Sequence, residues 1–460
     1  MFLSPSDRAR VAHEVGATVS LAAPLILAQL AAVGTNVVDA MLAGHYCAHV
    51  LGAVAVGASI WALAIVSGIG MMMAVPPSVS QLDGAGRRGE VGAVFRQALW
   101  LALGMGVLLW FFVRHAGPLI DLIGVDPGLR NDVVAFLHAI SWGAPALTCY
   151  FALRGLSEGL SMTLPSMFFA LAGLCVLAPL GYVLMFGKFG LAPQGARGCG
   201  IATALVLWME MLGFALYIAR HGNYRGLNLG ERFDLPDLRR IRELLSIGLP
   251  MAITLLAEGG LFVAVALALG TLGETVVASH QVALNIASVF FMIPLGLAMA
   301  ITVRVGNAVG RGDAEGVRYA GFCGIGLAVL TQVVSASLML GLPHLIAALY
   351  TRDAAVIALA TQLIVLAGVF QFSDGIQVAS NGALRGLKDT RWPMAMTLFA
   401  YWVIGMPFGW WLAFRQGLGA RGMWMGLVAG LSVAAILLFT RFWRNSRTER
   451  WRRTTQTSPT

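Results

Sequence analysis

Charge is scarce in this chain. Of its 460 residues only 12% are Asp, Glu, Lys or Arg, about half the share of an ordinary soluble domain. With 58% hydrophobic residues, so few charges cannot clothe a water-facing surface. A soluble globule is excluded, and a bilayer is the fitting solvent. Cysteine motifs are also missing. Cys47, Cys149, Cys175, Cys199 and Cys323 are far apart and odd in number, with no CxxC and no metal-ligand spacing. A disulfide framework and a thiolate metal centre are thereby excluded, and the five read as packing residues. The N-terminal stretch MFLSPSDRARVAHEVG is polar and does not read as a cleavable signal.

What the chain has in abundance is apolar runs and glycine. Its 55 glycines suit membrane helices, where small residues let backbones approach closely. About twelve runs are long enough to cross the hydrocarbon, near 17–42, 51–76, 91–113, 133–153, 163–187, 199–219, 245–270, 276–303, 317–342, 355–382, 393–414 and 421–443. Helices are expected throughout, since open strands would leave backbone groups unpaired in lipid. The net charge of +9 sits in short loops between the runs, which points to membrane orientation and away from nucleic acid. With twelve spans, 24 of the 31 Lys and Arg fall on the side that holds both termini. Positive charge marks the cytoplasm, so both termini are expected inside a multi-pass protein of the inner (plasma) membrane. The basic stretch RFWRNSRTERWRRTT (441–455), with its tryptophans, leads into the tail at 444–460 and reads as an interfacial anchor.

The chain also repeats. GARG occurs at 195–198 and 419–422, an offset of 224, and LRGL at 153–156 and 384–387, an offset of 231. QLDGAGRRGEV (81–91) resembles NAVGRGDAEGV (307–317), PLIDLIGVD (118–126) resembles HLIAALYTR (344–352), and Pro24 has a counterpart in Pro250. Matches in the same order predict two homologous six-helix halves in one orientation, a parallel repeat about the membrane normal. The expected divisions are a lobe at 1–218, a basic linker loop at 219–243, a lobe at 244–443 and the tail.

Within these runs three acids are stranded. Asp374 sits in GVFQFSDGIQVA, with no other ionisable side chain between Asp353 and Arg385; Glu258 sits in TLLAEGGLFVA; Asp39 sits in GTNVVDAMLAG. An acid at the centre of a span costs roughly 2.5–3.5 kcal/mol on insertion scales. The bland alternative is a structural carboxylate paired with a buried base. The runs hold almost no Lys or Arg away from their ends, so a cation or proton site is favoured. Such a site holds a proton, a sodium ion or an organic cation, one at a time, and that competition couples their fluxes. Phe262, Phe290, Phe291, Phe370 and Phe372 are available for contacts with flat cations. Glu210, in VLWMEMLGF, reads equally as structural or functional. His138 and His280 read as hydrogen-bonded packing residues, and Met71, Met72 and Met73 as core or lipid contacts.

The stretches APLILAQLAAVGTNVVDAMLAG, FGKFGLAPQGARGCGIATA, ASHQVALNIASVFFMIPLG, TVRVGNAVGRGDAEGVR and ALRGLKDTRWPM resemble the multidrug and toxic compound extrusion transporters, in their NorM-like branch, over nearly the whole chain. That resemblance implies an all-α membrane protein whose two six-helix bundles surround a central cavity. It implies export of organic cations against inward flow of sodium or protons. Asp39, Glu258 and Asp374 fall on the family's first-, seventh- and tenth-helix acids, Asp353 on an outer-loop acid, and Gln281 on a polar cavity position. The chain departs from the pattern at Leu177 and Gly181, where asparagines usually face the helix-one acid, and at Phe370, which carries no hydroxyl one turn before Asp374.

The expectation is therefore a secondary active antiporter that exports small cationic, amphipathic drugs and dyes. Glu258 and Asp374 are its coupling-ion and substrate acids, with sodium able to sit at this pair, and Asp39 is a partner or gating acid. Asp353, Gln281, Phe290 and Phe370 are secondary substrate contacts. No cofactor beyond the coupling ion is expected, lipids are the surroundings, and the protein is expected to be a monomer. A flippase for lipid-linked precursors would line its cavity with arginines. A channel would need a selectivity ring. An enzyme would need a constellation such as paired His and Asp or a GxSxG serine on a membrane face, so no enzyme is expected.

Overall fold

The computed structural model describes residues 5–229 and 234–448; four residues of the linker and the tail beyond 448, with Trp451, lie outside. Among the described residues all regular structure is helical. Twelve helices are long and apolar enough to span a bilayer: Asp7–Tyr46, Ala48–Gly84, Arg88–Arg114, Pro127–Gly159, Leu164–Phe186, Gly195–Arg220, Leu238–Gly270, Glu274–Gly310, Ala314–Gly341, Ala354–Gly386, Arg391–Arg415 and Gly419–Thr448. They are called the first to twelfth spans below. Many are longer than the apolar run that announces them, because hydropathy reports the lipid-facing length while the backbone hydrogen bonds continue into the polar flanks.

The repeat seen in the sequence is realised in local structure. PLIDLIGVD and HLIAALYTR both form short helices before a span, Gly117–Ile123 and Pro343–Tyr350. The span after each is capped by an aspartate. Asp126 accepts from the Gly128 N–H at 2.8 Å, and Asp353 accepts from the N–H groups of Ala355 and Val356 at 2.8 and 3.2 Å. A capping carboxylate satisfies donors that the first helical turn leaves free.

Contacts divide the chain into two compact units. One comprises residues 1–26, 84–86 and 253–460; the other comprises 27–83 and 87–252. Relative to a cut at the 219–243 loop, the halves trade helix ends. The start of the first span belongs with the second half, and the start of the seventh belongs with the first. In both spans the change falls two residues past a proline inside the helix, Pro24 and Pro250. Proline removes one ladder hydrogen bond and crowds the preceding turn, so a helix bends there most readily.

Each unit has its own apolar interior. In the unit that holds most of the second half, Leu21, Ala22 and Leu25 of the first span pack with Leu297, Ile301 and Leu384. In the other, Met71 and Met72 sit in a core with Phe95, Tyr150 and Phe214, so these methionines are packing residues.

Candidate functional site

Glu258 and Asp374 lie in the same unit, on the seventh and tenth spans. Asp374 is 2% exposed and Glu258 is half-buried. They are close enough for the charge of one to act on the other, and both act on Tyr401 of the eleventh span. Among the described residues neither acid has an ion-pair partner. Among the described residues no third His, Cys, Asp or Glu joins them in a metal-binding cluster.

Tyr401 escaped the sequence reading. Its side chain is fully enclosed and its hydroxyl has no hydrogen-bond partner. It lies on a π-helical segment, Phe399–Gly405, a wide turn that often marks functional positions. The next residue fastens the segment in place: the Trp402 indole N–H donates to the Ala257 carbonyl at 3.2 Å, immediately before Glu258. The only sequence signal was a tyrosine within an apolar run.

The aromatic residues form a wall. Phe262 meets Phe370 edge-on at 6.3 Å, Phe370 meets Trp424 at 6.0 Å, and Trp424 meets His280 at 5.9 Å. The Trp424 indole N–H also donates to His280 Nδ1 at 3.2 Å. Phe370, read as a substrate contact, is thus 4% exposed and part of a core that Phe290 flanks. Edge-to-face rings pack densely and leave little room for water. Gln281 and Asn285 are exposed on the eighth span. Asp353 is exposed and spends its carboxylate on the helix cap described above.

Asp39 belongs to the other unit. One of its oxygens accepts from the Thr203 hydroxyl at 3.3 Å and the Cys199 thiol lies beside it, while Oδ1 is buried without a partner. The fifth-span positions that lack asparagine are sealed with hydrocarbon. Leu177 packs against Val38, Ala202 and Val206, and a Cβ on Gly181 would meet Leu42 at 2.7 Å. The polar neighbours of Asp39 therefore come from the sixth span, not the fifth. Residue pattern alone could not show this, because it does not say which helix faces the acid.

A buried base does exist in this unit, at the end of the 133–153 run, where the sequence allows for one. Arg154 is 8% exposed. Its Nε donates to Glu158 at 2.5 Å and its Nη2 to Gln29 at 3.0 Å. Glu210 lies in the same unit, within reach of the Arg154 charge. At the LRGL offset, Arg385 is 4% exposed, and Asp389, four residues on, accepts from Arg441 at 2.6 and 3.0 Å and from Asn445 at 2.8 Å. Both repeats thus end in a buried arginine followed by a paired acid.

Residues 155–159, GLSEG, carry the GxSxG spacing. Ser157 is fully buried, bonded to the Met162 carbonyl at 2.7 Å and the Tyr224 hydroxyl at 2.8 Å. This is a packing serine on a helix, not one exposed on a nucleophile elbow. His138 is equally plain: its Nε2 meets the Arg114 carbonyl at 3.1 Å.

Comparison with known proteins adds an independent view. The MatE family model matches residues 24–183 and 250–411, one segment in each half. The chain is 49% identical over 444 residues to the probable multidrug resistance protein NorM of Xanthomonas campestris pv. campestris, covering 96% of this chain and 97% of that one. It is 43% identical to the multidrug resistance protein PmpM of Pseudomonas aeruginosa, over 95% of this chain and 93% of that one. Its fold matches the crystal structure of the eukaryotic MATE transporter AtDTX14 with a TM-score of 0.87 at 20% identity, covering 96% and 99% of the two chains.

Proposed function

The chain belongs to the MatE family and is a multidrug efflux transporter; from that premise we propose that it is an antiporter whose coupling ion binds at Glu258 and Asp374. The observation that carries this reading is the pair itself: two acids within one helical unit, charge acting on charge, without an ion-pair partner. A bare buried carboxylate costs several kcal/mol, so something must neutralise it. A proton, a sodium ion and a cationic drug each can, and each displaces the others. The cargo is accordingly small, cationic and amphipathic. Sodium prefers several oxygen ligands, and the Tyr401 hydroxyl supplies one that Phe370 does not.

Asp39 acts in the other unit as a partner acid held by Thr203. Both termini lie in the cytoplasm, which the distribution of Lys and Arg supports, and the protein is proposed to work as a monomer in the inner membrane. No cofactor takes part. The cycle binds the ion from outside, releases the drug there, and discharges the ion inside after the protein has changed its facing.

Dye efflux in inverted vesicles tests this, with sodium and pH gradients imposed separately. Glu258→Gln and Asp374→Asn are each expected to abolish gradient-driven transport of a cationic dye while membrane abundance stays at the wild-type level. Normal transport by both variants would defeat the assignment. The gradient that drives the wild-type protein identifies the ion.

A further inference from the structure

The tenth span changes character at Asp374. Residues spaced by three and four along a helix share one face. Counting from Asp374 toward the start of the span, that face carries Phe370, Ala367, Leu363 and Ala360, all buried in the aromatic and aliphatic core. Counting toward its end, the same face carries Gln377, Asn381 and Arg385. Toward the start of the span the only amide on this face is Gln371, which is bonded to Gln332; toward its end the face is lined with amides.

Those amides have oxygens that the protein leaves unpaired. Gln377 is 1% exposed and Asn381 9%, yet Gln377 Oε1 and Asn381 Oδ1 are buried without a hydrogen-bond partner. The fully buried hydroxyl of Ser380, one turn aside, is in the same condition. On the tenth span itself the contrast is Gln371, whose Oε1 accepts from Gln332 at 2.9 Å, although Gln332 Oε1 on the ninth span is in turn unpaired. Nearly all buried polar groups in proteins are satisfied, and those that are not point to water or an ion. Adjacent orphan oxygens on one face, leading away from a buried acid, describe a route.

We infer that Gln377 and Asn381 form the polar track along which the coupling cation travels between Asp374 and the Arg385 end of the tenth span. The inference rests on Asp374 being a coupling-ion site. Neutral amide oxygens suit such a track, since each accepts a hydrogen bond from water or hydronium, or ligates sodium, without trapping the ion. The ion's resting place stays at the carboxylate. Phe262, Phe370 and Trp424 close the opposite direction.

The test uses the full-length protein in liposomes, with ethidium as cargo and proton and sodium gradients imposed separately. The double variant Gln377→Leu/Asn381→Leu removes the track and leaves Asp374 in place. Ethidium affinity in detergent is expected to stay at the wild-type value, while gradient-driven transport falls about tenfold or more, the loss expected when a charged species gives up a buried hydrogen-bond partner. Gln377→Ser/Asn381→Ser keeps hydroxyl oxygens and is expected to restore most of the rate. Wild-type transport by the leucine pair overturns the track. If it does so while Asp374→Asn is inactive, the coupling-ion site stands without it; active Asp374→Asn removes both. Should the leucine pair fail to fold, Asn381→Cys in a background lacking the five native cysteines replaces it. A cationic, water-soluble thiol reagent is expected to react there and not at Ala379→Cys, and an unreactive Asn381→Cys overturns the track.

Discussion

A buried phenol without a hydrogen bond is an unusual thing to keep. Tyr401 is enclosed, its hydroxyl is unpaired, and it sits within electrostatic reach of two acids. Deleting an unsatisfied buried hydroxyl does not cost stability, because no partner is orphaned by its loss. Tyr401→Phe should therefore melt at or slightly above the wild-type temperature in detergent. If the hydroxyl serves the ion at Glu258 and Asp374, the same variant should need about tenfold more coupling ion for half-maximal dye transport, the worth of one hydrogen bond to a charged group. Wild-type ion dependence would leave Tyr401 as packing alone. Glu258, Asp374 and Asp39 were legible in the sequence because an acid in an apolar run stands out by itself. Tyr401 and Thr203 were not, since a tyrosine or threonine is ordinary in a membrane helix until a neighbour gives it a task. The burial of Arg154 was not legible either: it lies at the end of its apolar run, and only the path of the helix encloses it.

The eleventh and twelfth spans show what so much glycine is for. Gly405 and Gly409 on one, and Gly422, Gly426 and Gly430 on the other, are spaced by four, the small-residue pattern that lets membrane helices touch backbone to backbone. A Cβ on Gly426 would collide with the Gly409 backbone, and one on Gly405 would lie 3.1 Å from Gly430 Cα. The eleventh span is also interrupted by two π-helical segments, Phe399–Gly405 and Trp411–Arg415, on either side of Pro407. Gly426→Leu should force these spans apart and lower stability by about 1–3 kcal/mol, the usual cost of overpacking. Loss of monodisperse protein on size-exclusion chromatography, or a lower melting temperature, would register it. An unchanged melt would mean that the crossing yields more easily than its spacing suggests. The glycine spacing is visible in the chain. The π segments, and the break after Met72 in the second span, are not: hydropathy averages over a window wider than a single turn.

The two halves of the molecule are not self-contained. The unit holding most of the second half takes in residues 1–26. There Leu21, Ala22 and Leu25 fill its core, and Glu14 bonds Arg304 at 2.6 Å with both side chains largely buried. A fragment of residues 244–443 should therefore be unstable when expressed alone, and co-expression of residues 1–26 should raise its resistance to protease in membranes. Removing one partner of a buried pair costs more than the pair itself contributes, so Glu14→Ala in the co-expressed peptide should weaken the rescue. Protection of the lone fragment equal to that of the pair would refute the exchange of helix ends.

The number of spans, the internal repeat and the isolated acids are properties of stretches of chain. Each follows from composition within some twenty residues, or from matching one stretch against another, and so could be read in order along the sequence. The partners of each acid could not, nor which oxygens stay unpaired, nor which bundle a helix end joins. Those depend on contacts between residues far apart in the chain. Asp39 meets Thr203 across 164 positions and Arg304 meets Glu14 across 290, and helix packing alone brings them together.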